Sequence, residues 1–203
     1  FLAAKAKKHK IYLVGGSIAL RAESEKKVFN TSLVFNEQGE CIARYNKIHL
    51  FDVTVAATQE TYQESTTIES GKDFTVFDSP YGKVGLAICY DIRFPELFRA
   101  MTLNGAEIFA IPTAFTQKTG EAHWEVLTRA RAIENFCYVL GSCQAGTHVN
   151  QRKTFGHSLI ISPWGEIMAI SPKKTGVIVS EIDLQLLHQI RQAFPALQHR
   201  KIN

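Results

Sequence analysis

Apolar residues at alternate positions mark strands along most of this chain, and runs with helical spacing interrupt them. FLAAKAKKHK has the pattern of the second half of an amphipathic helix and leads into a short apolar strand, IYLVGGS. KVFNTSLVFNEQGECIARYNKI alternates on both sides of a polar turn at Asn36 to Glu40, which predicts a hairpin whose second arm ends at Lys47 and His49. From Asp52 to Gly71 the chain is polar and without a clear period, and a long irregular loop inside a compact domain is usually functional. It is expected to form a wall of a site.

The second half alternates element types. FTVFDSPYGKVGLAICYD predicts a hairpin around Pro80, Tyr81 and Gly82, and RFPELFRAMTLNGA a helix with Pro95 in its first turn and Gly105 at its end. EIFAIPTAF is then a strand, EAHWEVLTRARAIENF a helix and CYVLGSCQAG a strand. Strand, helix and strand in this order make a βαβ unit, whose parallel strands need apolar cover on both faces. FGHSLIISPWGEIMAIS predicts a hairpin around Pro163 to Gly165, TGVIVSEI a further strand, and Asp183 caps a last short helix, LQLLHQIRQAF. Mixed hairpins and βαβ units specify an α/β or α+β layered sandwich in one domain, residues 1–203.

Composition narrows the function more than the fold. The 203 residues are 45% hydrophobic and 21% charged, ordinary values for a domain that buries about 70% of its unfolded surface. The net charge of +4 comes from short scattered runs such as Lys5, Lys7, Lys8 and Lys10, without a basic stripe interleaved with aromatics, so nucleic acid is not an expected partner. No stretch approaches the roughly 18 apolar residues of a membrane span, and the default location is cytoplasmic. Cys41, Cys89, Cys137 and Cys143 form no CxxC pair, which leaves no sign of a metal site or a disulfide framework; three of the four are expected to be buried structural thiols.

Cys89 is the exception. In KVGLAICYDIRFPEL a buried strand ends at a cysteine and a helix starts a few residues later, the sharp turn that exposes a nucleophile beside backbone N–H groups. Tyr90, Asp91, Arg93 and Glu96 crowd more polar groups into the next eight residues than a plain strand end needs. A free thiol is only about 3% thiolate at pH 7, so a cysteine nucleophile in such a place requires a base and a cation nearby.

KVGLAICYDIRFPEL resembles the cysteine motif of the nitrilase superfamily of carbon–nitrogen hydrolases, and ARYNKIHLFD resembles its lysine motif. YQES, AHWEVLTRARAIEN, FGHS and SPWGE are similar to the Nit-type amidase branch. The resemblance implies an αββα four-layer sandwich and cysteine-dependent hydrolysis of small amides, with no metal and no organic cofactor. Cys89 would attack the amide carbon, Lys47 and the backbone N–H of Tyr90 would stabilise the oxyanion, and Glu64 would stand beside the lysine. It also implies a homodimer or higher homo-oligomer. Within the branch, AHWEVLTRARAIEN and LQHRK look most like amidases of deaminated glutathione, the alternative being ω-amidases of 2-oxoglutaramate.

One part of the family pattern is missing. Its general base is a glutamate in a PE motif well before the lysine segment, and no PE motif precedes Lys47; Glu23 and Glu25 sit in a polar turn after the first strand and do not fit. The chain is therefore expected to be a domain truncated at its N-terminal strand and helix, and impaired when alone. A non-catalytic relic that keeps the fold is the rival from another class, and a thiol peptidase would want a paired His that no motif supplies.

Thr113, Ala114 and Phe115 end the strand after the cysteine helix, at the carboxyl edge where open sheets bind ligands, and are expected substrate contacts. Arg93 and Glu96 have the spacing of an ion pair, Glu134 that of a partner for an arginine, and Trp124 that of a helix-packing residue. His49 and Asp52 are expected to shape the turn after the lysine.

Overall fold

The computed structural model describes residues 1–203 apart from 23, 56–59, 150, 172–174 and 203, so Glu23 lies outside the described residues. Helix α1 (Leu2–His9) leads into β1 (Leu13–Val14), β2 (Ile18–Arg21), β3 (Val28–Phe35) and β4 (Cys41–Asn46). A small antiparallel hairpin, β5 (Asp52–Val55) with β6 (Glu60–Gln63), precedes a 3₁₀ turn at Glu64–Thr66 and β7 (Ile68–Glu69). The described part of the segment from Asp52 to Gly71 thus forms strands and a 3₁₀ turn where the lack of period predicted a loop. Its polar strands make a two-stranded ribbon outside the main sheets, so no buried face imposes alternation on them.

β3 is the spine of the first sheet. β1 and β2 lie end to end along one side of it, and β4 and β7 share the other. The second sheet is built from β8 (Thr75–Ser79), β9 (Gly82–Leu86), α2 (Pro95–Leu103), β10 (Ile108–Thr113), α3 (Gln117–Asn135) and β11 (Tyr138–Cys143). It continues, past a hairpin of β12 (Ala145–Thr147) and β13 (Lys153–Phe155), into β14 (Leu159–Ile161) and β15 (Ile167–Ile170). Its six strands run in the order β15-β14-β11-β10-β9-β8, with β9, β10 and β11 parallel. α3 starts four residues before the predicted helix because the Thr116 hydroxyl caps it, accepting from the Thr119 N–H at 3.4 Å. Helix α4 (Leu184–Ala193) is capped by Asp183 as predicted, through the Leu186 N–H at 3.0 Å.

The apolar runs of the parallel strands are explained by two cores, one on each face. Along β10, Phe109 and Ile111 point to a core under α2 and α3 that includes Phe98, Met101, Trp124 and Val139. Ile108 and Ala110 point the other way, to an inter-sheet core with Val34, Tyr45, Leu86, Tyr138 and Leu187 of α4. α1, whose buried Ala6 belongs to neither core, packs against the first sheet and completes the α–β–β–α stack.

Two expectations are corrected here. The stretch 175–182, predicted as a strand, pairs with nothing among the described residues, and Val177 and Val179 are 89% and 83% exposed. An apolar alternating run becomes a strand only beside another strand that shares its ladder, and none flanks it. Cys41 is exposed at the start of β4, so only Cys137 and Cys143 are buried structural thiols.

Trp124 anchors α3. It is fully buried, donates from Nε1 to the His157 carbonyl at 2.8 Å and lies 5.3 Å from the Phe115 ring. Gly141 makes room for it, since a Cβ there would approach the indole to 2.7 Å. Replacing Trp124 with Ala should lower stability by about 3–5 kcal/mol, measured as a fall in the urea unfolding midpoint. A loss under about 1 kcal/mol would contradict this placement of the helix.

Candidate active site

Buried Ala87 and Ile88 follow β9, and the chain turns at Cys89 into a 3₁₀ turn, Cys89–Arg93, ahead of Pro95 and α2. Cys89 has a left-handed backbone, φ 50°, which costs a residue with a side chain about 1–3 kcal/mol and persists only where its surroundings enforce it. The enforcing contacts are visible. Asp91 accepts from the Ile88 N–H at 2.8 Å, and Arg131 of α3 donates from Nε to the Ile92 carbonyl at 2.8 Å.

Cys89 lies on the wall of a cavity of about 810 Å³. The carboxyl ends of all three parallel strands reach it: Cys89 after β9, Thr113, Ala114 and Phe115 at the end of β10, and Ser142 and Cys143 of β11. This is the edge predicted for substrate contacts, and all three residues named there line it. Thr113 is only 7% exposed, and its hydroxyl has no hydrogen-bond partner among the described residues.

Further lining comes from the first sheet and the segment after it. Lys47, 2% exposed, extends into the cavity and pairs with Glu64 Oε2 at 2.5 Å. The same carboxylate accepts from the Phe51 N–H at 2.7 Å and, through Oε1, from Asn30 Nδ2 at 3.2 Å. A lysine this withdrawn from water needs such a partner, because an unpaired buried charge costs several kcal/mol. The lysine loop is pinned from behind by Gly71, which donates to the Lys47 carbonyl at 2.8 Å; a Cβ at Gly71 would fall 2.1 Å from the Asn46 carbonyl oxygen. The sequence-predicted Cys89, Tyr90, Lys47 and Glu64 thus line one cavity, with Tyr62 beside them from the predicted wall and Phe51 from just before it.

Arg93 does not pair with Glu96. Its guanidinium lines the cavity, over the rings of Tyr90 and Phe115 at 5.8 and 5.5 Å, and meets His123 Nδ1 at 3.2 Å. Burial pulls it below the ordinary arginine range, opposed by Tyr90 and Cys89. Helical spacing favoured the Glu96 pair, but Pro95 starts α2 only after Arg93, so the two never share a helix turn. Arg152, which also lines the cavity, was missed because it follows a polar turn without a motif; its Nη2 donates to the Ala114 carbonyl at 2.8 Å. Glu134 is the predicted arginine partner, 2.5 Å from Arg131. His49 and Asp52 shape the turn as expected, bonded to Asp91 and to the Ser65 N–H respectively.

Burial pushes the Cys137 and Cys143 thiols up to about 11, which disfavours their thiolate forms at neutral pH. Among the described residues no group of three His, Cys, Asp or Glu side chains is placed to hold a metal ion.

Residues 1–192 match the family model for carbon–nitrogen hydrolases. The chain is 43% identical over 197 residues to a deaminated glutathione amidase of Yersinia enterocolitica, covering 97% of this chain and 69% of that protein. It is 42% identical over 196 residues to the human omega-amidase NIT2, covering 97% and 70%. In three dimensions it resembles the C. elegans NitFhit protein, with a TM-score of 0.92 at 39% identity, over 98% of this chain but 48% of that one. Sequence match, layered fold and cysteine turn agree, and the chain belongs to the carbon–nitrogen hydrolase family.

Proposed function

We propose that Cys89 is the nucleophile of an amidase, that Lys47 and the backbone N–H of Tyr90 receive the oxyanion, and that Glu64 holds the lysine in place. The observation that carries this reading is the left-handed turn at Cys89, on the wall of a cavity that a buried, charge-paired lysine also lines. The thiolate sulfur bonds to the amide carbon, and the carbonyl π pair moves to oxygen, where the Lys47 ammonium and the Tyr90 N–H stabilise it. Collapse breaks the C–N bond, the amine leaves with a proton, and an acyl thioester remains. Water then adds to the thioester, and the acid and the free thiol are released.

Both halves of this cycle need a base. Glu64 is the only carboxylate lining the cavity among the described residues, and its oxygens are engaged by Lys47, Phe51 and Asn30. The reading is therefore that residues 1–203 form most of one carbon–nitrogen hydrolase domain, and that a carboxylate on a further strand completes it. Two edges support this. The outer side of β1 and β2 and the stretch 175–182 carry no ladder partner among the described residues, and Gly16 and Ser17 from the first and Gly176, Val177 and Ile178 from the second both line the cavity.

For substrate the reading is deaminated glutathione, cleaved to 2-oxoglutarate and cysteinylglycine. The Yersinia relative carries that name, and Arg93, whose guanidinium lines the cavity beside Cys89 and Tyr90, suits an amide that carries a carboxylate. The human relative favours a second reading, ω-amidase activity on the smaller 2-oxoglutaramate, which shares the acyl half. A kcat/KM for 2-oxoglutaramate well above that for deaminated glutathione would select the second. A cytoplasmic homodimer is part of the proposal. The dimer is supported by exposed apolar side chains on the helical face, such as Val126 and Ile133 of α3; no helix among the described residues is long and apolar enough to cross a membrane.

In the full chain, Cys89→Ser should lower amide turnover by about 10³-fold or more, and rapid quenching of the parent should trap an acyl adduct on the Cys89 peptide. Iodoacetamide at neutral pH should label Cys89 and the exposed Cys41 but spare Cys137 and Cys143. An adduct on Cys143, or full turnover in the serine variant, would discard the assignment. Arg93→Gln should raise KM for 2-oxo acid amides about tenfold or more, the worth of a charge-assisted hydrogen bond, and leave amides without a carboxylate unchanged. Equal losses on both amide types would remove Arg93 from substrate recognition.

A further inference from the structure

Asp91 is fully buried two residues after the cysteine, and four donors converge on it. Its Oδ2 accepts from the Tyr45 hydroxyl at 2.7 Å and from the Ile88 N–H at 2.8 Å. Its Oδ1 accepts from the His49 backbone N–H at 3.1 Å and lies 2.7 Å from His49 Nδ1. Tyr45 and His49 flank Lys47 by two residues on each side, while Ile88 directly precedes Cys89. Three bonds therefore go to the lysine segment and one to the cysteine turn, across 42 to 46 residues of chain. The Tyr45 hydroxyl also accepts from the Ile48 N–H at 3.3 Å, which ties the residue beside the lysine into the same cluster.

We infer that Asp91 is a positioning residue which, through Tyr45 and His49, sets where the Lys47 ammonium stands relative to the Cys89 sulfur. The inference rests on the roles proposed above for Lys47 and Cys89. Its physical basis is that the pair must meet one developing oxyanion from two different sheets, and an error of about 1 Å in such a placement can cost about 10² in rate. The cluster suits the task because both of its walls are rigid. Tyr45 is 1% exposed within the inter-sheet core, and the His49 ring stacks on Phe94 at 3.7 Å. Burial, and after it the charge of Asp91, hold the Tyr45 phenol well above its usual range, so it stays a donor.

Only a carboxylate fits this position. With a backbone N–H aimed at each of its oxygens, the side chain must accept at both, whereas an amide would turn an N–H₂ group toward a fixed backbone N–H at one end. Asp91→Asn is thus isosteric but mismatched, and Tyr45→Phe removes one donor while leaving both backbone bonds in place.

The test measures kcat and KM in the full chain for Tyr45→Phe, Asp91→Asn and Lys47→Arg, and for each of the first two combined with the third. The expected result is a fall in kcat of about fivefold or more for Tyr45→Phe and about 10² for Asp91→Asn, with KM within about twofold of the parent. Combined with Lys47→Arg, either change should cost much less than it does alone, because the lysine it positions is already altered. If Asp91→Asn does not fold, as judged by circular dichroism, Tyr45→Phe carries the test. A Tyr45→Phe variant with parental kcat, a loss confined to KM, or losses that multiply fully with Lys47→Arg would overturn the inference. Parental turnover in Lys47→Arg and Cys89→Ser would instead remove the catalytic reading beneath it.

Discussion

A lysine ammonium withdrawn from water is the constraint around which half of this molecule is arranged. Lys47 is buried just after β4 with the Glu64 carboxylate against it, and a buried ammonium without such a partner would cost several kcal/mol. Glu64 lies seventeen residues away, so the intervening chain must leave the sheet and return with the right residue facing in. The β5–β6 ribbon and the 3₁₀ turn after it perform that return, and the Phe51 N–H and Asn30 amide hold the carboxylate once it arrives. The close contact of Gly71 with Asn46 then shuts the loop behind the lysine.

The other half answers to a different requirement. Parallel strands buried on both faces must be apolar throughout, so chemistry can be mounted only where they end. Cys89, Thr113 and Cys143 all stand at such ends, and the cavity forms where these meet the charged pair delivered by the first sheet. The site is therefore a seam between two sheets, each contributing what the other cannot hold.

How far the sequence revealed this depended on what each residue answers to. The two-faced strands around Phe109 and Val139 were legible because burial alone fixes their pattern. Cys89 stood out because a strand end with Tyr90, Asp91 and Arg93 beside it has no need of so many polar groups. The polar ribbon at β5–β6 was not legible, since a strand pair with both faces near solvent has no period to display. The stretch 175–182 misled for the opposite reason: alternation records a strand's two faces but says nothing of whether a neighbour is there to complete its ladder. Arg93 was misjudged because spacing along a helix was applied to a residue that precedes the helix, and the four-donor shell of Asp91 joins segments more than forty residues apart, beyond the reach of any local pattern.

The backbone at Cys89 has a last consequence, which concerns selection rather than chemistry. A left-handed φ is the one conformation in which glycine outdoes every residue that bears a side chain, so the turn after β9 would be more relaxed with no thiol in it. On the role proposed for Cys89, drift toward greater thermal robustness at this position would lead to a silent protein. On that reading, a lineage that retains a cysteine here accepts a weaker fold at the point of its reactivity, and stability gained elsewhere, as in the packing of α3 or the bonds around Asp91, offsets that cost.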